Sequence, residues 1–195
     1  MAETDPSPGT QSTLGRVLAR AWASLRIPPV PDYSVDEPTD GRELWLRQLG
    51  RVRYALESAR AALVRDGWTS GAWFTVEQSP GLFRRATANE AFGLVGPQAS
   101  VANACLVGTL LRMADDPDQV PTLADVWGCV DELYEAMHEQ LGHHSFPPGR
   151  AYPQAERRAR LQGLTAWNDA PGRTPDQVLD VVDRAVARTI VAACE

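Results

Sequence analysis

The sequence predicts an all-α protein, a single compact bundle of five or six helices with at most a minor strand or hairpin near residues 72–77. Three observations lead there. Apolar residues recur at spacings of three and four along most of the chain. Several of these runs open on a capping residue and close on glycine. Only "AWFTV", 72–76, has the aromatic and β-branched composition of a strand.

Residues 1–11 have almost no apolar content and read as a disordered tail. Over residues 12–26, Leu14, Val17, Leu18, Ala21, Trp22 and Leu25 form one stripe opposite Arg16 and Arg20, an amphipathic helix. Residues 27–40, "IPPVPDYSVDEPTD", combine prolines with carboxylates and should run extended as a connector. That leaves residues 41–195 as the helical domain. Asp40 and Glu43 have capping-box form, and Leu44, Trp45, Leu49, Val52, Leu56, Ala59 and Leu63 mark a long helix that Gly67 ends. Trp68 then stands where an apolar residue folds back on Leu63.

Residues 77–98 hold glycines and prolines at irregular spacing and read as an excursion loop, with one helical turn around 85–92. "ASVANACLVGTLLRMADD", 99–116, is apolar on nearly every side, with small residues for close approach, and predicts the buried central helix, stopped by Pro117. Thr122 and Asp125 resemble a capping box. The stripe Leu123, Val126, Trp127, Val130, Leu133, Tyr134, Met137 and Leu141 follows, ending at Gly142. "GHHSFPPGRAYP" is a loop, and "QAERRARLQGLTA" a basic helix. The last helix starts at Pro175, capped by Thr174 and Gln177. It turns Val178, Val181, Val182, Ala185, Val186, Thr189 and Ile190 inward and pairs Asp180 with Arg184.

Composition excludes several chemistries. All 19 basic residues are arginine, so no Schiff-base, P-loop or kinase-type lysine exists. Net charge is -6, which gives no general pull toward nucleic acid or anionic membrane. The N-terminus lacks the form of a signal peptide, no apolar run approaches a membrane span, and Cys105, Cys129 and Cys194 form neither a disulfide framework nor a zinc motif. The expectation is a cytoplasmic protein with reduced thiols, no cofactor and no metal.

Four groups of residues remain as candidates for chemistry. Trp167, Asn168, Asp169 and Arg173 in "TAWNDAPGRTPDQVL" read either as Asx-turn and staple residues or as polar groups converging at the mouth of a bundle. Cys105 reads as a small buried hydrophobe, the alternative being a Cys/His/Asn set with His138, His143 or His144 and Asn168. Glu135 and His138, with Asp131 one turn earlier, make a single E-x-x-H element. A di-iron bundle needs two, so a solvated acidic face is expected. Arg150, Arg157, Arg158 and Arg160 form a basic patch, expected to be solvated.

The order of "DGWTSGAWF", "ANACLVGTLLR" and "AWNDAPGRTPDQVLDVVDRA" resembles an uncharacterised family of small proteins from actinobacteria and their phages. Its members share a Gly-Trp motif, a Cys-x-x-Gly helix and a Trp-Asn-Asp loop before the last helix. The resemblance covers residues 45–192, with Thr109 where the family often has Ala, and implies no activity.

Two functions follow. One is a non-enzymatic binding or accessory protein that captures a protein partner through residues 12–26, with a homodimer also open. The other is a small enzyme or small-molecule-binding bundle, its pocket lined by Trp68, Trp73, Cys105, His138, Asn168, Asp169 and Arg173.

Overall fold

The computed structural model describes residues 41–95, 100–113 and 122–194. The expected tail, N-terminal helix, connector, Asp40 cap and Pro117 stop all lie outside the described residues. Six helices are described: α1 Gly41–Asp66, α2 Ala88–Gly93, α3 Leu106–Met113, α4 Leu123–Gln140, α5 Gln154–Asn168 and α6 Pro175–Cys194. Three strands join them: β1 Phe74–Ser79, β2 Leu82–Arg85 and β3 Asn103–Ala104. The protein is therefore mostly helical, but it also carries a three-stranded antiparallel sheet of order β2-β1-β3, more than the single minor strand or hairpin expected.

α1 packs against α6, α4 and α3, and α4 packs against α5 and α6. The spacing of Leu49, Val52, Leu56, Ala59 and Leu63 explains the buried face of α1. Arg51 and Gln48, one turn apart, reach the fully buried Asp125, each at 3.0 Å, while Asp125 also closes a capping box with Thr122. The core of α6 is as expected at Val178, Val181, Val182, Ala185 and Thr189, with Ala192 added. Ile190 instead faces solvent, because at 3.6 residues per turn it lies about 120° around the helix from Val178, beyond the edge of the buried stripe.

Two elements differ from the sequence expectation. Residues 77–85, read as loop, close a hairpin: Pro80 and Gly81 make the turn, Gly81 at φ +78° with its N–H on Glu77 Oε1 at 2.8 Å. Leu82 and Phe83 lie exposed, so β2 has no buried alternating face for a pattern search to find. α2 follows, with a Thr87–Glu90 capping box.

The predicted central helix is short at its front. Asn103 and Ala104 pair with β1, and Asn103 bridges Asp66 O (2.9 Å) and Thr75 Oγ1 (2.8 Å). α3 begins only at Leu106. The small residues do permit close approach, since a Cβ on Gly108 would stand 2.5 Å from Trp73 O. The φ of +87° at Gly67 takes the chain out of α1, and a Cβ there would stand 2.5 Å from Asn103 Nδ2, which explains why the position is glycine.

Candidate functional site

The junction of α1, α3 and α5 gathers most of the residues singled out from the sequence. Trp167 and Asn168 belong to the last turn of α5 rather than to a loop, the amide of Asp169 still bonding Thr165 O at 3.0 Å. That turn points Asn168 inward, where it is 1% exposed. Asn168 Oδ1 accepts the Trp68 indole N–H at 2.8 Å and the Leu106 amide at 3.3 Å; its Nδ2 donates to Asp169 Oδ1 at 2.8 Å and Thr69 O at 3.4 Å. Its donors and acceptors are all engaged. Asp169 Oδ1 also accepts the Gly71 amide at 2.7 Å. Trp68, expected against Leu63, forms a bridge with Ala104.

Cys105 immediately precedes α3. Its carbonyl accepts the first helical bond from Thr109 at 2.9 Å and its Sγ accepts the Gly108 amide at 3.2 Å, so the thiol acts as a helix cap. Burial pushes the thiol up to about 12, against the pull of the Gly108 amide and with a smaller upward push from Asp169. It stays a thiol. Trp73 is buried with Phe74 edge-on to it, and its carbonyl takes the Cys105 amide at 2.8 Å. Arg173 lies over the Trp167 ring at 3.9 Å and donates to Trp167 O at 3.1 Å, which holds the last turn of α5 against the start of α6. Thr174 and Gln177 cap α6 reciprocally.

His138 belongs elsewhere. Its ring lies tilted against those of Tyr134 and His143, with centroids 4.3 and 5.4 Å away, and among the described residues no hydrogen bond or ring contact joins it to Cys105 or Asn168. His144 stacks on Phe146, over which Arg150 lies at 4.3 Å. Among the described residues no group of three or more His, Cys, Asp or Glu side chains is arranged to hold a metal ion.

The acidic flank of α4 corrects the expectation of a solvated face. Asp131, Glu132 and Glu135 are each under 5% exposed, and so is Arg160 from the supposed solvated basic patch. Asp131 takes Arg157 at 2.8 Å; Glu135 takes Arg160 at 2.7 Å and the Tyr152 hydroxyl at 2.9 Å; Glu132 takes Arg188 of α6 at 3.2 Å. Arg160 also stacks on Tyr152 at 3.4 Å. These carboxylates fasten the segment between α4 and α5 through the amides of Phe146 and Gly149, both at 2.9 Å.

Burial pushes Asp131 up to about 6, with Arg157 opposing it, and raises Glu132 as well. Glu135 is also pushed up by burial. Its bonds from Phe146, Arg160 and Tyr152 outweigh that push and hold it below its ordinary value. The sequence did carry a signal for this ladder: acids at i and i+4 on one helix, arginines at i and i+3 on the next, two spacings that each share a face.

Residues 48–188 match the sequence pattern of a Family of unknown function (DUF6197). The chain belongs to that family. No curated protein and no solved structure matches it. The DUF6197 span begins within α1 and ends at Arg188 within α6, so it takes in both the Asn168 junction and the α4 ladder whole. It lies just inside the 45–192 expected from the resemblance, and it leaves out the first turns of α1.

Proposed function

We propose that this DUF6197 member is a non-enzymatic binding or accessory protein, its helical domain a stiff carrier for surfaces that meet other proteins. The observation that carries the reading is the fate of Asn168 and Cys105. The amide is nearly inaccessible with every donor and acceptor engaged, and the thiol is buried, protonated and spent on a helix cap. Groups in that state hold a fold together and have no free valence for a substrate.

The partner is a protein captured through residues 12–26, and the setting is the cytoplasm of an actinobacterium or of a cell infected by one of its phages. No helix among the described residues is long and apolar enough to cross a membrane.

The test is a pull-down from host extract with the full chain and with residues 1–40 removed, alongside a circular dichroism melt of each. Loss of capture with an unchanged melt supports the reading. Equal capture by both chains overturns the role of residues 12–26. A small molecule that raises the melting temperature of the wild type but not of Asp169→Ala would favour a ligand-binding bundle instead.

A further inference from the structure

Among the described residues β2 is the outer strand of the sheet, bonded to β1 on one side only. Its pairing with β1 determines which backbone groups face outward. Ala86 donates to Phe74 O at 2.9 Å, so Ala86 and Phe74 form a hydrogen-bonded pair, and in the Val76–Arg84 register the alternation makes Arg84 the next residue bonded inward. The amides and carbonyls of Phe83 and Arg85 therefore point away from the sheet. The Arg85 carbonyl has only a long 3.4 Å contact from Arg84 Nη1.

Edge strands are ordinarily guarded by lysine, proline, an inward charge or a covering element. β2 carries Leu82 and Phe83, 55% and 53% exposed. Its two cations differ. Arg84 is neutralised by Glu90 through two bonds of 2.6 and 2.9 Å, whereas Arg85, whose guanidinium lies flat against Gly71, has no carboxylate partner among the described residues. Phe83 and Arg85 are two apart and share one face. Among the described residues the edge thus offers two outward amide–carbonyl sets, an open aromatic ring and an unpaired positive charge in one row.

We propose that this edge docks an extended segment of a partner protein, one that adds a strand beside β2 and sets an apolar side chain near Phe83 and a carboxylate near Arg85. Strand addition supplies the backbone bonds and the side-chain row supplies selectivity. A second copy of this chain fits the edge less well: an antiparallel self-pairing centred on Arg84 sets Phe83 opposite Arg85, so that from the paired strand it brings neither an apolar side chain to the first nor a carboxylate to the second. The proposal rests on the binding reading above but uses a different surface from residues 12–26, so each can fail alone.

The experiment is a titration of the full 15N-labelled chain with acetyl-Thr-Val-Thr-Glu-Thr-Val-Thr-amide and, separately, its counterpart with Lys in place of Glu, peptides that set an apolar and a charged residue two apart on one face in either strand direction. The expected result is that the Glu peptide shifts the Phe83 and Arg85 amides and slows their hydrogen exchange roughly tenfold or more, while the Lys peptide does not. Arg85→Glu should reverse the preference, and Phe83→Ser should abolish the response with an unchanged melt. No response to either peptide, or an equal response to both, overturns the proposal. So does protection of the two amides in the free chain: concentration-dependent protection identifies a second copy as occupant, and concentration-independent protection identifies an edge already covered.

Discussion

Trp68 and Asn168 lie 100 residues apart in the chain, yet the indole nitrogen of one is 2.8 Å from the side-chain oxygen of the other. The same oxygen receives the first amide of α3. Replacing Asn168 by Ala strands both donors, the Leu106 amide in full burial and the Trp68 indole N–H in partial burial. At about 1–3 kcal/mol for each buried group left unmet, the expected loss in urea unfolding is about 3 kcal/mol. Asp169→Ala, at a half-buried position, should cost less. An Asn168→Ala protein that unfolds at the wild-type midpoint would remove the junction's structural role.

Asp131 predicts a pH dependence of definite sign. Its folded value of about 6 exceeds the ordinary 3.8, so between those values the folded chain holds a proton that the unfolded chain has released. The contribution of this group to stability is complete below about pH 4 and is lost as pH rises through 6. Asp131→Asn keeps the shape without the charge. Relative to wild type it should gain on the order of 1–3 kcal/mol between pH 4 and pH 7, the range set by the size of the shift. A difference that stays flat or moves the other way would show that Arg157 already neutralises the carboxylate fully.

Two glycines in helices should behave oppositely. Gly108→Ala places a methyl group 2.5 Å from a backbone carbonyl that cannot swing aside, and should cost about 2–3 kcal/mol by overpacking. Gly50, exposed in α1 with nothing within 4 Å of a new Cβ, should gain about 0.5–1 kcal/mol as Ala from helix propensity alone. Thermal melts of the two variants test this directly, and equal changes in the two would contradict the packing at Trp73.

Thiol titration should count one reactive cysteine in the folded protein. Cys194 is exposed, while burial raises the thiols of both Cys105 and Cys129. Ellman's reagent should therefore react promptly at Cys194 and reach the other two only at the rate of unfolding. Prompt reaction at Cys105 would mean that the α3 cap opens in the native state, and it would reopen the case for a nucleophile.

The helices were legible wherever a residue's neighbours in sequence are also its neighbours in space. The buried stripes of α1 and α6 and the Thr122–Asp125 and Thr174–Gln177 caps depend on spacings of three and four, which any reader of the chain can find. What stayed hidden depends on partners far along it. β2 could not be found from its own composition, because Leu82 and Phe83 are both exposed and only the pairing with β1 makes them a strand. Asn103 and Ala104 left the predicted helix because the Thr75 hydroxyl and the Asp66 carbonyl bind the Asn103 side chain. Asp131, Glu132 and Glu135 read as solvated because a charge is buried only when its counter-charge arrives with it, and theirs come from α5 and α6. At the Asn168 junction the right residues stood out, but nothing in their order told whether their polar atoms would meet a ligand or one another.

The Asn168 junction also sets an order of events during synthesis. Trp68 and the opening residues of α3 are made long before the carboxamide that joins them, so a growing chain carries an unmatched Leu106 amide and an unmatched indole until α5 is complete. A chain interrupted just before residue 168 would carry the apolar faces of α1, α3 and α4 and lack both the carboxamide and the face of α6 that packs on α1 and α4. For this protein, then, a premature stop near the end of α5 should produce a sticky, protease-sensitive fragment rather than a shorter working domain.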